Sequence, residues 1–461
     1  MQQHTQHNQR QKQKQNTAYR NTKKNNTTRN LTATSHSHDD ANVRGYGSAK
    51  KSPPQFIIPN SYRTLYSFLT NIALSLPTIT TTVVPVTAAL ASNTVLLHIN
   101  QFLSESIATK IRAELPNKYI VTSPLFSNST AQQQPLIEIY ASAATTLEIL
   151  QHTADALVYR MLFMSALQKA QTAPTDEVEE RKYPNVTYYM LNHNKVIDYR
   201  NAIAASVPFK FTTDSINSGY YHNNAIVIYR IEEFAKVLLH ELAHFYTLDI
   251  FNATAHSTTN SAAITTNIIN TEPLDVYSTV IKQYWQLPES NEYRFNEAIA
   301  EWWAIIISIS FISATYAQFT ANLKKQLNWN FFQIAKIVTL SALLSHAKKR
   351  NNTTRQFSHL TAFAHLQQDT DVFSYFILKT ALLLHNSPLI TRNTSNANTK
   401  QNSLKNTKKQ YQQQYHSQKL AMIKQIYCNA EVMKQNVEWY LVRLHKMPQM
   451  KLNSIRMTVD L

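Results

Sequence analysis

The stretch "VLLHELAHFY", residues 237–246, places His240 and His244 four positions apart, with Glu241 directly after the first. Successive helical residues rotate by about 100°, so the two histidines fall about 40° apart, one turn above the other. Both imidazoles can then reach one ion at about 2.0–2.1 Å, the distance zinc requires. Glu241 lies on the flank of that face, where it can hydrogen-bond a water on the ion without ligating the ion itself. The opposite face carries Phe234, Leu238, Leu242 and Phe245, which predicts a helix pinned to a core. Glu232 and Glu233 fall in the expected first turn, where acids complement the helix dipole. Two histidines on a helix can also be satisfied core residues, so a third donor matters.

"FNEAIAEWWA", residues 295–304, supplies candidates: Glu297 and Glu301 lie four apart at the head of a strongly apolar run. A solvated helix start would explain two acids in a first turn. The flank "WWAIIISISF" argues instead for deep packing, where carboxylates are expensive unless paired or bound to a cation. Two histidines and one glutamate leave a fourth position for water, the catalytic rather than the structural arrangement.

Together these motifs resemble the gluzincin class of zinc metallopeptidases, which carry HExxH on one helix and E-x-x-x-[DE] on a later one. "NEAIAE" is similar to the thermolysin-like form of the second motif, and the resemblance spans roughly residues 185–315. It implies zinc as cofactor, His240, His244 and Glu297 as its ligands, and Glu241 as general base toward a zinc-bound water. Glu301 would be the acid orienting a ligand histidine, here His240. The implied activity is hydrolysis of a peptide or protein substrate. "NNAIVIYR" (223–230) is similar to the edge strand along which these enzymes lay an extended substrate. Fifty-two residues separate His244 from Glu297, longer than the thermolysin-like gap, so Glu301 stands as the alternative ligand. The class stabilises the oxyanion with a Tyr or His, for which Tyr246, His256, Tyr277 and Tyr284 are available. The Tyr/Lys/Gln-rich style and tails are also similar to those of uncharacterised proteins of large DNA viruses.

Composition narrows the alternatives. The formal charge of +17 is confined to the ends: residues 1–55 carry +8, residues 388–461 carry +9, and the middle sums to zero. Solvated disorder is the expected state of the basic ends, with weak contact to nucleic acid or an anionic surface as the other reading. A neutral middle offers no phosphate-tracking groove. Only Gly45, Gly47 and Gly219 occur, too few for a phosphate-cradling loop or dinucleotide fingerprint. The single cysteine, Cys428, excludes an intrachain disulfide and a Cys-ligated zinc site. The polar start has no apolar signal segment, so an intracellular or virion setting is expected.

The elements that must position these residues read as strands first and helices second, an α+β arrangement with a zincin-like two-lobed core. A disordered basic arm (1–55) precedes an N-terminal α/β region (56–184). The catalytic core is expected at 185–387, a low-complexity linker at 388–418, and an amphipathic helix and tail at 419–461. Strands are expected at 93–99, in "KYIVT" and "LIEIY", and at 185–192, 207–211 and 223–230. Helices are expected at 100–115 (capped by Asn100), 141–170, 232–248, 272–286, 292–318, 331–346 and 371–386. The run 302–319 has nearly the length of a membrane span, but its polar residues favour a buried core helix. The rival to an enzyme is a structural or interaction protein, virion-associated among its settings, that keeps the fold without turnover; an intact Glu241 counts against it. A nucleic-acid binder acting through its basic ends ranks third.

Overall fold

Apolar residues alternate along successive strands, and the alternation sorts them onto two faces of one sheet. A computed structural model describes residues 55–86, 103–126, 135–171, 183–197, 210–249, 285, 287–288, 294–347, 366–384 and 429–441. The strands are β1 (Thr82–Pro85), β2 (Asn117–Thr122), β3 (Ile137–Ala141), β4 (Asn185–Tyr189), β5 (Gly219–His222) and β6 (Ala225–Ile228), in the order β1-β2-β3-β4-β6-β5. The pairs β3–β4 and β4–β6 are parallel and the other three antiparallel, so the fold is mixed α/β, in keeping with α+β. Ile137, Ile139, Val186, Tyr188, Ile226 and Ile228 bury on one face, in the main core. Tyr140, Tyr189 and Tyr220 face the other side, where Ile107 and Ile111 of helix α2 (Glu105–Glu114) cover them.

The main core is built from helices α1 (Ser61–Ser75), α3 (Leu147–Gln171), α5 (Phe234–Phe245), α6 (Phe295–Ile312) and α7 (Tyr316–Ala347). The short α4 (Thr213–Ile216) precedes β5. A helix over 372–383 contains a π-helical turn, Ser374–Leu378, and continues as Lys379–Leu383. Residues 429–441 are also helical. Helix α5 packs on β5 and β6 and against α3 and α6. Gly219 permits this approach, because a Cβ there would lie 2.7 Å from the Val227 carbonyl oxygen and 2.9 Å from Val237 Cγ1. Tyr62 of α1 fastens two helices together: its hydroxyl accepts from Trp302 Nε1 at 3.1 Å and donates to the Leu383 carbonyl at 3.1 Å.

Several expectations need correction. Strand β6 is paired on both sides, so 223–230 is not the edge expected there; the terminal strand on that side of the sheet is β5. Asn223 and Asn224, both at positive φ, make the tight turn that folds β5 back on β6. Helix α2 is capped by Ser104, whose Oγ accepts from Ile107 N, and not by Asn100. Glu233 is the left-handed N-cap of α5 and Glu232 precedes it, so neither lies in the first turn; both bind Lys195 instead. Of the strand expected at 207–211, residues 207–209 lie outside the described residues, and Phe211 makes an isolated bridge with Gln368. The helices expected at 292–318 and 331–346 divide elsewhere: the break falls at 313–315, where Ser313 turns extended, and 319–330 is helical.

Helix α6 is long and apolar enough to cross a membrane by length and composition, yet eleven of its residues are buried within the fold. The expected arm as far as residue 54, the strand at 93–99, nearly all of the helix at 272–286 and the linker 388–418 lie outside the described residues.

Candidate metal centre

The face of α5 turned to α6 carries His240 and His244, and the facing side of α6 carries Glu297 and Glu301. Contacts step down one helix as they step up the other: His240 meets both Glu301 and Glu297, and His244 meets Glu297. Four-residue spacing on each helix produces this ladder, and its reversed order means that the helices run antiparallel.

Three donor atoms converge. His240 Nε2 lies 3.1 Å from His244 Nε2 and 3.2 Å from Glu297 Oε2, and His244 Nε2 lies 3.4 Å from the same oxygen. Two donors each about 2.05 Å from a tetrahedral ion are about 3.3 Å apart, so the triangle has the size zinc requires. These three residues could hold a metal ion. Glu301 is excluded from the triangle, because its Oε2 lies on the far side of His240, 3.0 Å from Nδ1. His244 has a matching partner: its Nδ1 lies 2.8 Å from Asp249 Oδ2. An ionised carboxylate only accepts, so each Nδ1 is an N–H, and once the ring gives up its second proton the Nε2 lone pair faces the centre. Backing of this kind orients metal-binding histidines and raises their basicity.

Electrostatics agree with the geometry. Burial would lower His240, but Glu297 and Glu301 raise it to about 9. Burial also works against His244, yet Glu297 and Asp249 hold it well above its ordinary value. Burial would raise Glu297, but His244 and His240 hold it well below the usual carboxylate range. The site therefore favours any cation, proton or metal, at these three atoms. Glu241 behaves differently: burial pushes its carboxyl up, and the two histidines offset this only in part. It sits within the field of both histidines and Glu297.

The helix over 372–383 contributes Tyr375, whose hydroxyl donates to Glu297 Oε2 at 3.3 Å and whose ring centroid lies 5.7 Å from that of His240. Burial and the Glu297 charge push this hydroxyl well up, so it stays a protonated donor. π-Helical turns such as the one carrying Tyr375 recur at functional sites. Tyr246 instead packs at the end of α5, its carbonyl accepting from Gln168 Nε2 at 3.5 Å. His256, Tyr277 and Tyr284 lie outside the described residues.

Sequence reasoning passed over Asp249, Tyr375, Lys236 and Lys379. The signal for Tyr375 and Lys379 was present: two polar side chains four apart in the apolar stretch "VFSYFILKTALLL", the pattern that had drawn attention to Glu297 and Glu301. No protein-family model, no curated protein and no solved structure matches the chain.

Proposed function

We propose that this protein is a zinc-dependent peptide-bond hydrolase with a zincin-like two-lobed core, its metal held by His240, His244 and Glu297. The observation that carries the reading is the donor triangle of 3.1–3.4 Å with a carboxylate behind each histidine. Charge supports a divalent cation. With both imidazoles neutral, as a bound metal requires, the buried Glu241, Asp249 and Glu301 and the nearly buried Glu297 outnumber the buried Lys236 and Lys379 by two, a formal −2 that one such ion would neutralise. All donors are nitrogen or oxygen, which suits zinc.

A bound zinc would polarise a scissile carbonyl and lower the pKa of water toward about 7. Glu241 takes the proton of the attacking water and passes it to the leaving amine. Tyr375, whose O–H donates to Glu297 Oε2, would pass that donation to the oxyanion once the metal occupies the Glu297 oxygen. Asp249 and Glu301 keep the imidazoles oriented. An extended peptide adds as a further strand beside β5, bonding through its backbone.

The test combines metal analysis with one substitution. The purified wild-type chain is expected to hold one zinc and to cleave unstructured peptides, and Glu241→Gln to keep the zinc and lose cleavage by about 10²–10⁴-fold. A wild type that holds zinc but cleaves nothing across a broad peptide library would favour the non-catalytic scaffold. A wild type that takes up no divalent metal would remove the metal reading altogether.

A further inference from the structure

Around the donor triangle lies a second layer of buried charge for which the hydrolytic steps above have no use. Lys236 stands four residues before His240, the spacing that also separates His240 from His244, so all three share one face of α5. Its Nζ donates to both oxygens of Glu301, at 2.7 Å and 2.9 Å. Lys379 approaches from the helix over 372–383, with Nζ 3.8 Å from Glu301 Oε1. Tyr375 and Lys379 thus reach Glu297 and Glu301 in matching four-residue steps. Glu301 and Lys379 are fully buried and Lys236 nearly so, which removes water as a partner for these charges.

Glu301 Oε2, which Lys236 holds, is also the atom facing His240 Nδ1. Lys236 therefore fixes the place of the very oxygen that meets the His240 ring. The Nδ1–H donates to that oxygen, which turns the opposite nitrogen, Nε2, toward His244 Nε2 and Glu297 Oε2. A carboxylate sealed from water keeps its charge only with compensating cations beside it. A third buried lysine, Lys195, is engaged elsewhere, 2.9 Å from Glu233.

We propose that Lys236 and Lys379 are positioning residues of the metal centre: by holding the Glu301 carboxylate in place against His240 Nδ1, they aim His240 Nε2 at the metal position. The inference rests on the metal reading above and extends the recognisable pattern to Lys-x₃-His-Glu-x₂-His on one helix with Glu-x₃-Glu on the next.

The experiment measures zinc affinity by chelator competition on the full chain. The His240 ring is followed by long-range proton–nitrogen NMR, a signature that a merely structural lysine would not move. The wild type is expected to bind one zinc and to show a downfield Nδ1–H resonance. Lys236→Met is expected to weaken zinc binding by about 10–100-fold, as loss of an outer partner does, and to abolish that resonance. In a Glu301→Gln background, Lys236→Met is expected to add less than about twofold, because residues acting through one another are not additive. Lys379→Met, whose contact is longer, is read in the same way and is expected to give a smaller loss; it serves if Lys236→Met fails to fold. A folded lysine variant that binds zinc as the wild type does, or that loses as much with Gln at 301 as with Glu, overturns the proposal. A wild type without zinc uptake removes the metal reading and this inference together, whereas a zinc-binding wild type with indifferent lysine variants removes this inference alone.

Discussion

In the proposed centre protons and zinc would compete for the same three atoms, and the structure sets the terms of that competition. His240 is raised from 6.5 to about 9 by Glu297 and Glu301 against its burial, and His244 lies well above its ordinary value. At pH 7, two units below its midpoint, His240 carries its proton in about 99% of metal-stripped molecules. Loading zinc must expel both protons. Calorimetry in buffers of different ionisation enthalpy is therefore expected to give close to two protons released per zinc at pH 7. The apparent Kd should fall about 100-fold per pH unit between pH 6 and 8. Stability of the stripped protein follows the same linkage. A raised histidine contributes stability that is fully present below 6.5 and lost as pH rises through about 9, a span worth about 3 kcal/mol for His240. The stripped protein should melt at progressively lower temperature from pH 6.5 to 9, and the zinc-loaded protein should show little of that slope. Release of fewer than about 0.5 protons per zinc at pH 7, with a Kd flat from pH 6 to 8, would refute the electrostatic reasoning.

Asp249→Asn keeps the shape behind His244 but removes the charge, and should weaken zinc binding by about 10–100-fold in chelator competition. Tyr375→Phe should retain a full equivalent of zinc while kcat drops about 10²–10³-fold with little change in KM, the pattern of a donor used only in the transition state. Gly219→Ala should lower stability by about 1–3 kcal/mol in denaturant melts, because its Cβ meets the Val227 carbonyl oxygen and Val237 rather than open space.

Much of the centre was legible because helical periodicity converts spacing into direction. His240, His244, Glu297 and Glu301 each lie on the face their four-residue spacing predicts, and the apolar partners of α5 and α6 are buried. Less legible was whatever depends on contacts between distant segments. Strand β5 is only "GYYH", too short to show alternation, so the sheet's edge was assigned to the more obviously apolar β6. Asp249 follows His244 by five residues, and only the left-handed turn at Thr247 brings its carboxylate back to the imidazole. Residues 319–330 fell outside the expected helices 292–318 and 331–346, yet the chain stays helical there because Leu323, Leu327 and Phe331 keep one side in the core. Tyr375 and Lys379 come from a segment more than seventy residues past Glu301, a placement that spacing alone does not determine.

The hydroxyl of Tyr62 accepts from the indole directly after Glu301 and donates to the last carbonyl of the segment bearing Lys379. One atom near the start of the described chain thus ties together two pieces that meet far downstream. A fragment excised at residue 185 would keep every proposed ligand and the proposed base, yet lose this knot together with three of the six described strands. The smallest unit able to hold the proposed centre is therefore wider than its recognisable motifs. Damage as distant as Phe at position 62 should register as faulty metal loading before it registers as unfolding.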